Sequence, residues 1–192
     1  MRPEVWIVTP IKVLVILASI RQGRMSERVA TFVMGRLAAV ENISAELVDL
    51  RELNLPMMEE RLGRIEPTPP NVAELGAKIV GTDAIVIVTP EYNRGYPGVL
   101  KNALDYYFKE YKRKVVALVT VSDGGRGGVN CWAQLVPVFV RMGAIVSPPN
   151  VEVERVDKTF AEDGTVLDPI YLKRTDFMIS ELVWLTTRVK ST

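Results

Sequence analysis

Three stretches of the chain are almost continuously apolar: residues 12–18 (KVLVILA), 84–89 (AIVIVT) and 114–121 (KVVALVTV). Short β-rich runs of this kind predict strands buried on both faces, because a strand with one wet face alternates instead. Residues 44–50 (SAELVDL) do alternate and predict a further strand. Helical spacing is carried by Val29, Phe32, Val33, Leu37 and Val40, which predicts a helix over 26–40. Further helices are predicted over 71–81, ending at Gly81, and over 129–142, ending at Gly143. Another over 98–111 has Leu100, Ala103, Leu104, Tyr107 and Tyr111 on one side. Residues 51–70, with Pro56, Pro67, Pro69 and Pro70, read as a connection. Residues 144–153 give a fifth strand interrupted by Pro148 and Pro149. Asp168 and Pro169 are expected as N-cap and first position of a last helix running to about 189.

Strands and helices therefore alternate, and the most apolar strands need cover on both faces. This predicts an α/β fold: a flavodoxin-like, doubly wound, five-stranded parallel sheet in the order 2-1-3-4-5, with helices on both faces. Ligands in such sheets bind beyond the carboxyl ends of the strands, beside the switch point. The chemistry is therefore sought in the loops after strands one, three and four.

Length and composition narrow the field. At 192 residues the chain fits one domain, read as residues 12–192 behind a leader at 1–11. Arg2 precedes an apolar stretch, but Pro3, Glu4, Pro10 and Lys12 break it and no A-x-A site follows, so a signal peptide is not expected. The longest apolar run, Val13 to Ala18, is six residues, against the ~20 that cross a bilayer. Net charge is +1, which supports neither a nucleic-acid nor a membrane-surface partner. A single Cys excludes an internal disulfide and makes a cytoplasmic location the expectation. There is no His, so Ser-His-Asp triads, Cys-His pairs and HExxH zinc sites are ruled out. No metal site and no catalytic acid can be named. Cys131, near a predicted helix start, is either a favoured thiolate or an inert buried residue.

The loop after strand one reads Ser19-Ile20-Arg21-Gln22-Gly23-Arg24-Met25-Ser26. Hydroxyls and guanidiniums at a helix N-terminus suit an anion, since free N–H groups and the positive helix end already favour one. The loop is not a P-loop, because GxxxxGK[ST] is absent. After strand three, Pro90-Glu91-Tyr92-Asn93-Arg94-Gly95-Tyr96-Pro97-Gly98 forms a shaped turn with flat aromatic surfaces and an Asn that both donates and accepts. After strand four, Ser122-Asp123-Gly124-Gly125-Arg126-Gly127-Gly128 lets a ligand approach the backbone closely. It fails the GxGxxG fingerprint, which would require Gly at Asn130. An anion site, an aromatic shelf and a glycine wall on one sheet edge suit a phosphorylated flat heterocycle, with flavin mononucleotide (FMN) the obvious candidate.

The segments SIRQGR (19–24), PEYNRGYPGVLKNALDY (90–106) and SDGGRGG (122–128) resemble the NADPH-dependent FMN reductase family, which includes quinone, azo-dye and chromate reductases. The resemblance runs from about Lys12 to Val153. It implies a flavodoxin-like oxidoreductase with bound FMN and NADPH or NADH as co-substrate. Hydride would pass to FMN and then to a small-molecule acceptor: a quinone, azo compound, metal ion or free flavin. By resemblance, Ser19, Arg21, Arg24, Met25 and Ser26 would hold the phosphate. Pro90, Glu91, Tyr92 and Asn93 would border the ring, and Ser122, Gly124 and Gly125 would lie along its other side. The resemblance also implies a homodimer or homotetramer through the helix after PEYN, with Leu104, Tyr107, Phe108 and Tyr111 as an aromatic interface. The alternatives are a flavodoxin-type electron carrier and a flavin-dependent redox-sensing partner protein.

Overall fold

The computed structural model describes residues 10–191. Its strands are β1 (Ile11–Leu17), β2 (Ile43–Asp49), β3 (Ala84–Pro90), β4 (Val115–Val121), β5 (Ile145–Val146) and β6 (Val151–Val153). Its helices are α1 (Ser26–Ala38), α2 (Leu50–Leu53), α3 (Pro70–Gly81), α4 (Gly98–Asp105), α5 (Val129–Arg141), α6 (Val156–Thr159) and α7 (Ile170–Lys190). All pairings are parallel, in the order β2-β1-β3-β4-β5, as the alternation of elements predicts. The fifth strand is broken where expected. β5 pairs with Val115–Val116 and β6 with Val119–Val121. Between them Pro148 and Pro149 have no N–H to give, so the ladder lapses.

Successive side chains of a strand face opposite sides, and here both sides are dry. Val13, Val15, Leu17, Val86, Val88 and Val119 pack with α1 and α7 through Val33, Leu37, Met178 and Leu182. Leu14, Ile16, Ile85, Ile87 and Leu118 pack with α3, α4 and α5 through Leu75, Ile79, Leu104 and Phe139. β2 forms one edge of the sheet and keeps the alternating, half-wet pattern of its sequence. No helix among the described residues is long and apolar enough to cross a membrane.

Several boundaries differ from the sequence reading. Residues 1–9 of the expected leader lie outside the described residues, while Ile11 belongs to β1, paired with Ile43. Leu50 starts the one-turn helix α2, where the Asp49 carboxylate accepts the Arg51 N–H at 2.9 Å. Val40 lies beyond the end of α1 and is exposed. The helix predicted over 98–111 stops at Asp105 and resumes as a 3-10 turn at Lys109–Tyr111. The break lets Tyr106, Tyr107 and Tyr111 all turn inward, with the Tyr107 hydroxyl donating to the Val72 carbonyl at 2.8 Å. Leu104, Tyr107 and Tyr111 are therefore core rather than interface, and only Phe108 of that expected set is partly exposed. α7 starts one residue later than expected. Asp168 still caps it through the Ile170 N–H at 3.0 Å. Pro137 sits on the exposed side of α5, where water can satisfy the carbonyl left unbonded by its missing N–H.

Two glycines hold the turn after β4 against the sheet. Gly127 and Gly128 have φ of +55° and +84°. A Cβ at Gly127 would lie 2.6 Å from Glu152 Cβ, and one at Gly128 2.8 Å from Thr120 Cβ. Thr120 Oγ1 also donates to the Gly127 carbonyl at 2.6 Å. Gly128→Ala should therefore cost roughly 2–4 kcal/mol from backbone strain and overpacking. Gly124→Ala, whose Cβ would meet only Ser122 Oγ at 4.0 Å, should stay within about 0.5 kcal/mol. Urea midpoints of the two variants check this; equal effects would contradict it.

Candidate functional site

The chain leaves β1 at Ala18 and Ser19, both fully buried. Ser19 Oγ shares a 2.8 Å hydrogen bond with the Tyr92 hydroxyl, so the first loop is tied to the one after β3. Arg24 ties the same loop to the end of β2. Its Nη1 donates to Asp49 Oδ1 and to the Ser19 carbonyl, each at 2.6 Å, and its Nη2 pairs with Asp49 Oδ2. Its Nε donates to Glu27 at 3.2 Å. The Arg24 side chain is only 3% exposed. All three of its nitrogens are engaged, so it shapes the anion loop as a strut, and Arg21 is the loop guanidinium left exposed to solvent. Burial pushes the Asp49 carboxyl up, but the Arg24 hydrogen bond, the Arg51 N–H and nearby positive charge outweigh it. The net effect holds the carboxyl below the usual range.

α1 begins with Met25 at the N-cap position, and no side chain caps it. Ser26 follows, 2% exposed, and its hydroxyl has no hydrogen-bond partner. An unpaired buried hydroxyl costs about 1–3 kcal/mol. Here it sits beside uncapped N–H groups at the positive end of a thirteen-residue helix. That donor set fits a phosphate monoester, which accepts hydrogen bonds and carries negative charge.

The loop after β3 is fixed from both ends. Glu91 accepts from the N–H groups of Asn130 and Cys131 at 3.0 and 3.1 Å and from Asn130 Nδ2 at 3.2 Å, so it caps α5. Tyr92 and Gly95 exchange both backbone hydrogen bonds, at 2.8 and 3.0 Å. Asn93 and Arg94 between them have φ of 50° and 66°, a type I′ turn. Asn93 is thus at the exposed tip, while Tyr92 is half-buried. Gln134 Nε2 donates to the Arg94 carbonyl at 2.7 Å and holds the tip against α5.

The loop after β4 divides into two parts. Gly127 and Gly128 are packing positions, whereas Gly124 and Gly125 are exposed. Ser122 Oγ donates to the Gly124 carbonyl at 2.9 Å, and that carbonyl also accepts the Arg155 N–H at 3.0 Å. Cys131 is fully buried, and its thiol is pushed up to about 12, mainly by burial. Of the two readings the sequence left open for it, the inert one holds.

These loops enclose one cleft at the carboxyl edge of the sheet. Arg21, Arg24, Met25, Ser26, Pro90, Glu91, Tyr92 and Ser122 line it. Ser19 lies beneath Tyr92, and Asn93, Gly124 and Gly125 lie outside the lining. Gly23, Val121, Asp123 and Val156 complete the wall. Gly23 and Asp123 sit within the segments singled out by sequence, but Val156 carries no sequence signal, because only the return of the chain after β6 brings it there.

Known proteins resemble this chain in sequence and fold. A model of the NADPH-dependent FMN reductases matches residues 11–157. The NAD(P)H-dependent FMN reductase C4B3.06c of Schizosaccharomyces pombe is 39% identical over 155 residues, 77% of this chain and 76% of its own length. A quinone reductase of Escherichia coli is 32% identical over 141 residues, 71% of this chain and 73% of its own. Among solved structures, the flavoenzyme NAD(P)H:(acceptor) oxidoreductase FerB of Paracoccus denitrificans superposes with a TM-score of 0.78. It is 25% identical, and the alignment covers 92% of this chain and 98% of that one.

The Asp49–Arg24 pair generates a pH prediction. Asp49→Asn removes the negative charge and one of the two acceptors that residue 49 gives the buried Arg24 guanidinium, and should cost about 3 kcal/mol at neutral pH. The folded carboxyl titrates below its unfolded value. Its stabilisation is therefore complete above the unfolded pKa, near pH 4, and fades as pH falls through the lower, folded value. Urea unfolding of both proteins from pH 7 to pH 2 should show a constant gap down to about pH 5 that closes at lower pH. A gap independent of pH would contradict the assignment.

Proposed function

Since the chain belongs to the NADPH-dependent FMN reductase family, we propose that it is an FMN-dependent NAD(P)H oxidoreductase serving a small-molecule acceptor. The observation that carries this reading is the buried, unpartnered Ser26 hydroxyl at the uncapped start of α1. When bound, FMN supplies the hydride chemistry. The chain supplies position and field. Ser26 Oγ and the first N–H groups of α1 hold the phosphate, with the exposed Arg21 guanidinium beside them. Arg24 and Asp49 keep that loop in shape without spending their charge on the ligand. Pro90, Glu91 and Tyr92 would border the ring on one side and Val121 and Ser122 on the other. Tyr92 is fixed by its bond to Ser19.

No protein base is assigned. Glu91 turns its carboxylate to the start of α5, and Cys131 stays a neutral thiol at physiological pH. Hydride transfer from a nicotinamide needs neither. One open cleft favours exchange: the donor leaves before a quinone, azo compound, metal ion or free flavin enters. The kinetics are then ping-pong, and the acceptor is chosen by fit to the 90–97 turn.

Two measurements test the reading. Flavin fluorescence titration should show Ser26→Ala weakening FMN by about 10-fold, the loss of one hydrogen bond to a charged group, with riboflavin affinity unchanged. Equal losses for both flavins would overturn the phosphate assignment. Anaerobic addition of NADPH or NADH to the FMN-loaded protein should bleach the flavin absorption band within a turnover. No bleaching with either nucleotide would overturn the reductase reading in favour of an electron carrier or redox sensor.

A further inference from the structure

The arginines on the segments that form and flank the cleft fall into two sets. Arg24, Arg28 and Arg51 give their guanidiniums to carboxylates or carbonyls of the chain itself. Arg21, Arg94, Arg126 and Arg155 make no side-chain ion pair or hydrogen bond among the described residues, and all four are exposed. Arg94 sits at the tip of the turn after β3, and Arg155 is the one held beside the glycine loop. Its backbone has φ of 42° at a residue that is neither Gly nor Asn, a conformation that costs about 1–3 kcal/mol unless the surroundings enforce it. They do so here. The Arg155 N–H donates to the Gly124 carbonyl, and its own carbonyl accepts from Lys158 N at 2.7 Å and Thr159 N at 3.1 Å. The side chain is then laid over the glycine loop. A Cβ at Gly125 would stand 3.3 Å from Arg155 Nη2 and 3.8 Å from its Cζ. The next residue, Val156, lines the cleft.

A fixed backbone, a glycine that clears the path and a cation with no internal partner together mark a side chain kept for something outside the chain. We infer that Arg155, set beside Gly125 and next to the cleft-lining Val156, recognises a phosphate ester of a nucleotide bound in the cleft. The guanidinium offers planar paired donors matched to phosphate oxygens. Two esters could reach it: the 2′-phosphate of NADPH, and the phosphate of FMN. The first is favoured, because Ser26 and the α1 N-terminus already serve the second. The inference rests on the proposed reductase reading, and on that reading it would set preference for NADPH over NADH.

The test compares wild type with Arg155→Ala and Arg155→Gly. The glycine variant removes the cation while relieving the positive φ, so a loss shared by both variants is not misfolding. FMN and riboflavin affinities are measured first by fluorescence. Binding of 2′,5′-ADP and of 5′-AMP to the FMN-loaded protein is then measured by calorimetry, alongside KM for NADPH and NADH. Both variants should weaken 2′,5′-ADP by about 10-fold or more, the worth of a charge-assisted bond. They should raise the NADPH KM to match and leave 5′-AMP, NADH and kcat unchanged. Gly125→Ala, which displaces the guanidinium, should give part of the same loss. A loss confined to FMN over riboflavin would assign Arg155 to the FMN phosphate instead, still as a phosphate contact. Unchanged discrimination in both pairs overturns the inference. Failure of wild type to load FMN would instead sink the reductase reading, independently of the 2′,5′-ADP result.

Discussion

Everything in this molecule follows from burying a parallel sheet on both faces. Inner strands β1, β3 and β4 have almost no exposed side chains, so their backbones can be satisfied only by one another. Parallel neighbours cannot be joined by hairpins, and each connection must climb back through a helix. All inner strands therefore end on the same edge, and the chain leaves the core there with its polar groups unspent. The cleft is the place where three such exits meet, at the point where the order reverses between β1 and β3.

That edge is stiffened before any ligand arrives. Four polar struts tie these loops to their neighbours: Arg24 to Asp49, Ser19 to Tyr92, Glu91 to α5, and Thr120 to Gly127. The struts use up side chains that look, from their chemistry alone, like ligand groups. What remains after they are subtracted is a short set: the Ser26 hydroxyl, the first N–H groups of α1, and the exposed arginines. Preorganisation of this kind matters for a binding site because ordering a loop on binding is itself unfavourable.

Strand runs, helix faces and the order of the sheet were legible because they depend on neighbours within a few positions. Val13 to Ala18 is apolar whatever surrounds it. The break after Asp105 was not legible: helical spacing places Tyr107 and Tyr111 on one stripe, while burying Tyr106 as well requires the helix to end. That the three loop segments meet at one cleft was legible, yet the contacts within them were not. Arg24 meets Asp49 across 25 residues, and Glu91 meets Asn130 across 39. No local pattern encodes either distance. Gly127 and Gly128 looked like an open wall for a ligand, but Glu152 and Thr120 occupy the space beside them.

The net charge of +1 suggests a chain indifferent to anions, and the structure shows why that sum misleads. Six cations among the described residues are paired with carboxylates. Lys78 meets Glu46, Arg36 meets Asp176 and Lys190 meets Asp83, all away from the cleft. Partly exposed pairs of this kind add little stability, but they remove those charges from the long-range field. The uncancelled Arg21 lines the opening, and Arg126 and Arg155 belong to the segments that bring Asp123 and Val156 to it. The carboxylates that line the opening are Glu91, which is turned to the start of α5, and Asp123. Local imbalance, rather than total charge, decides what such a cleft attracts, and it can be read only once each arginine has been matched with its acid.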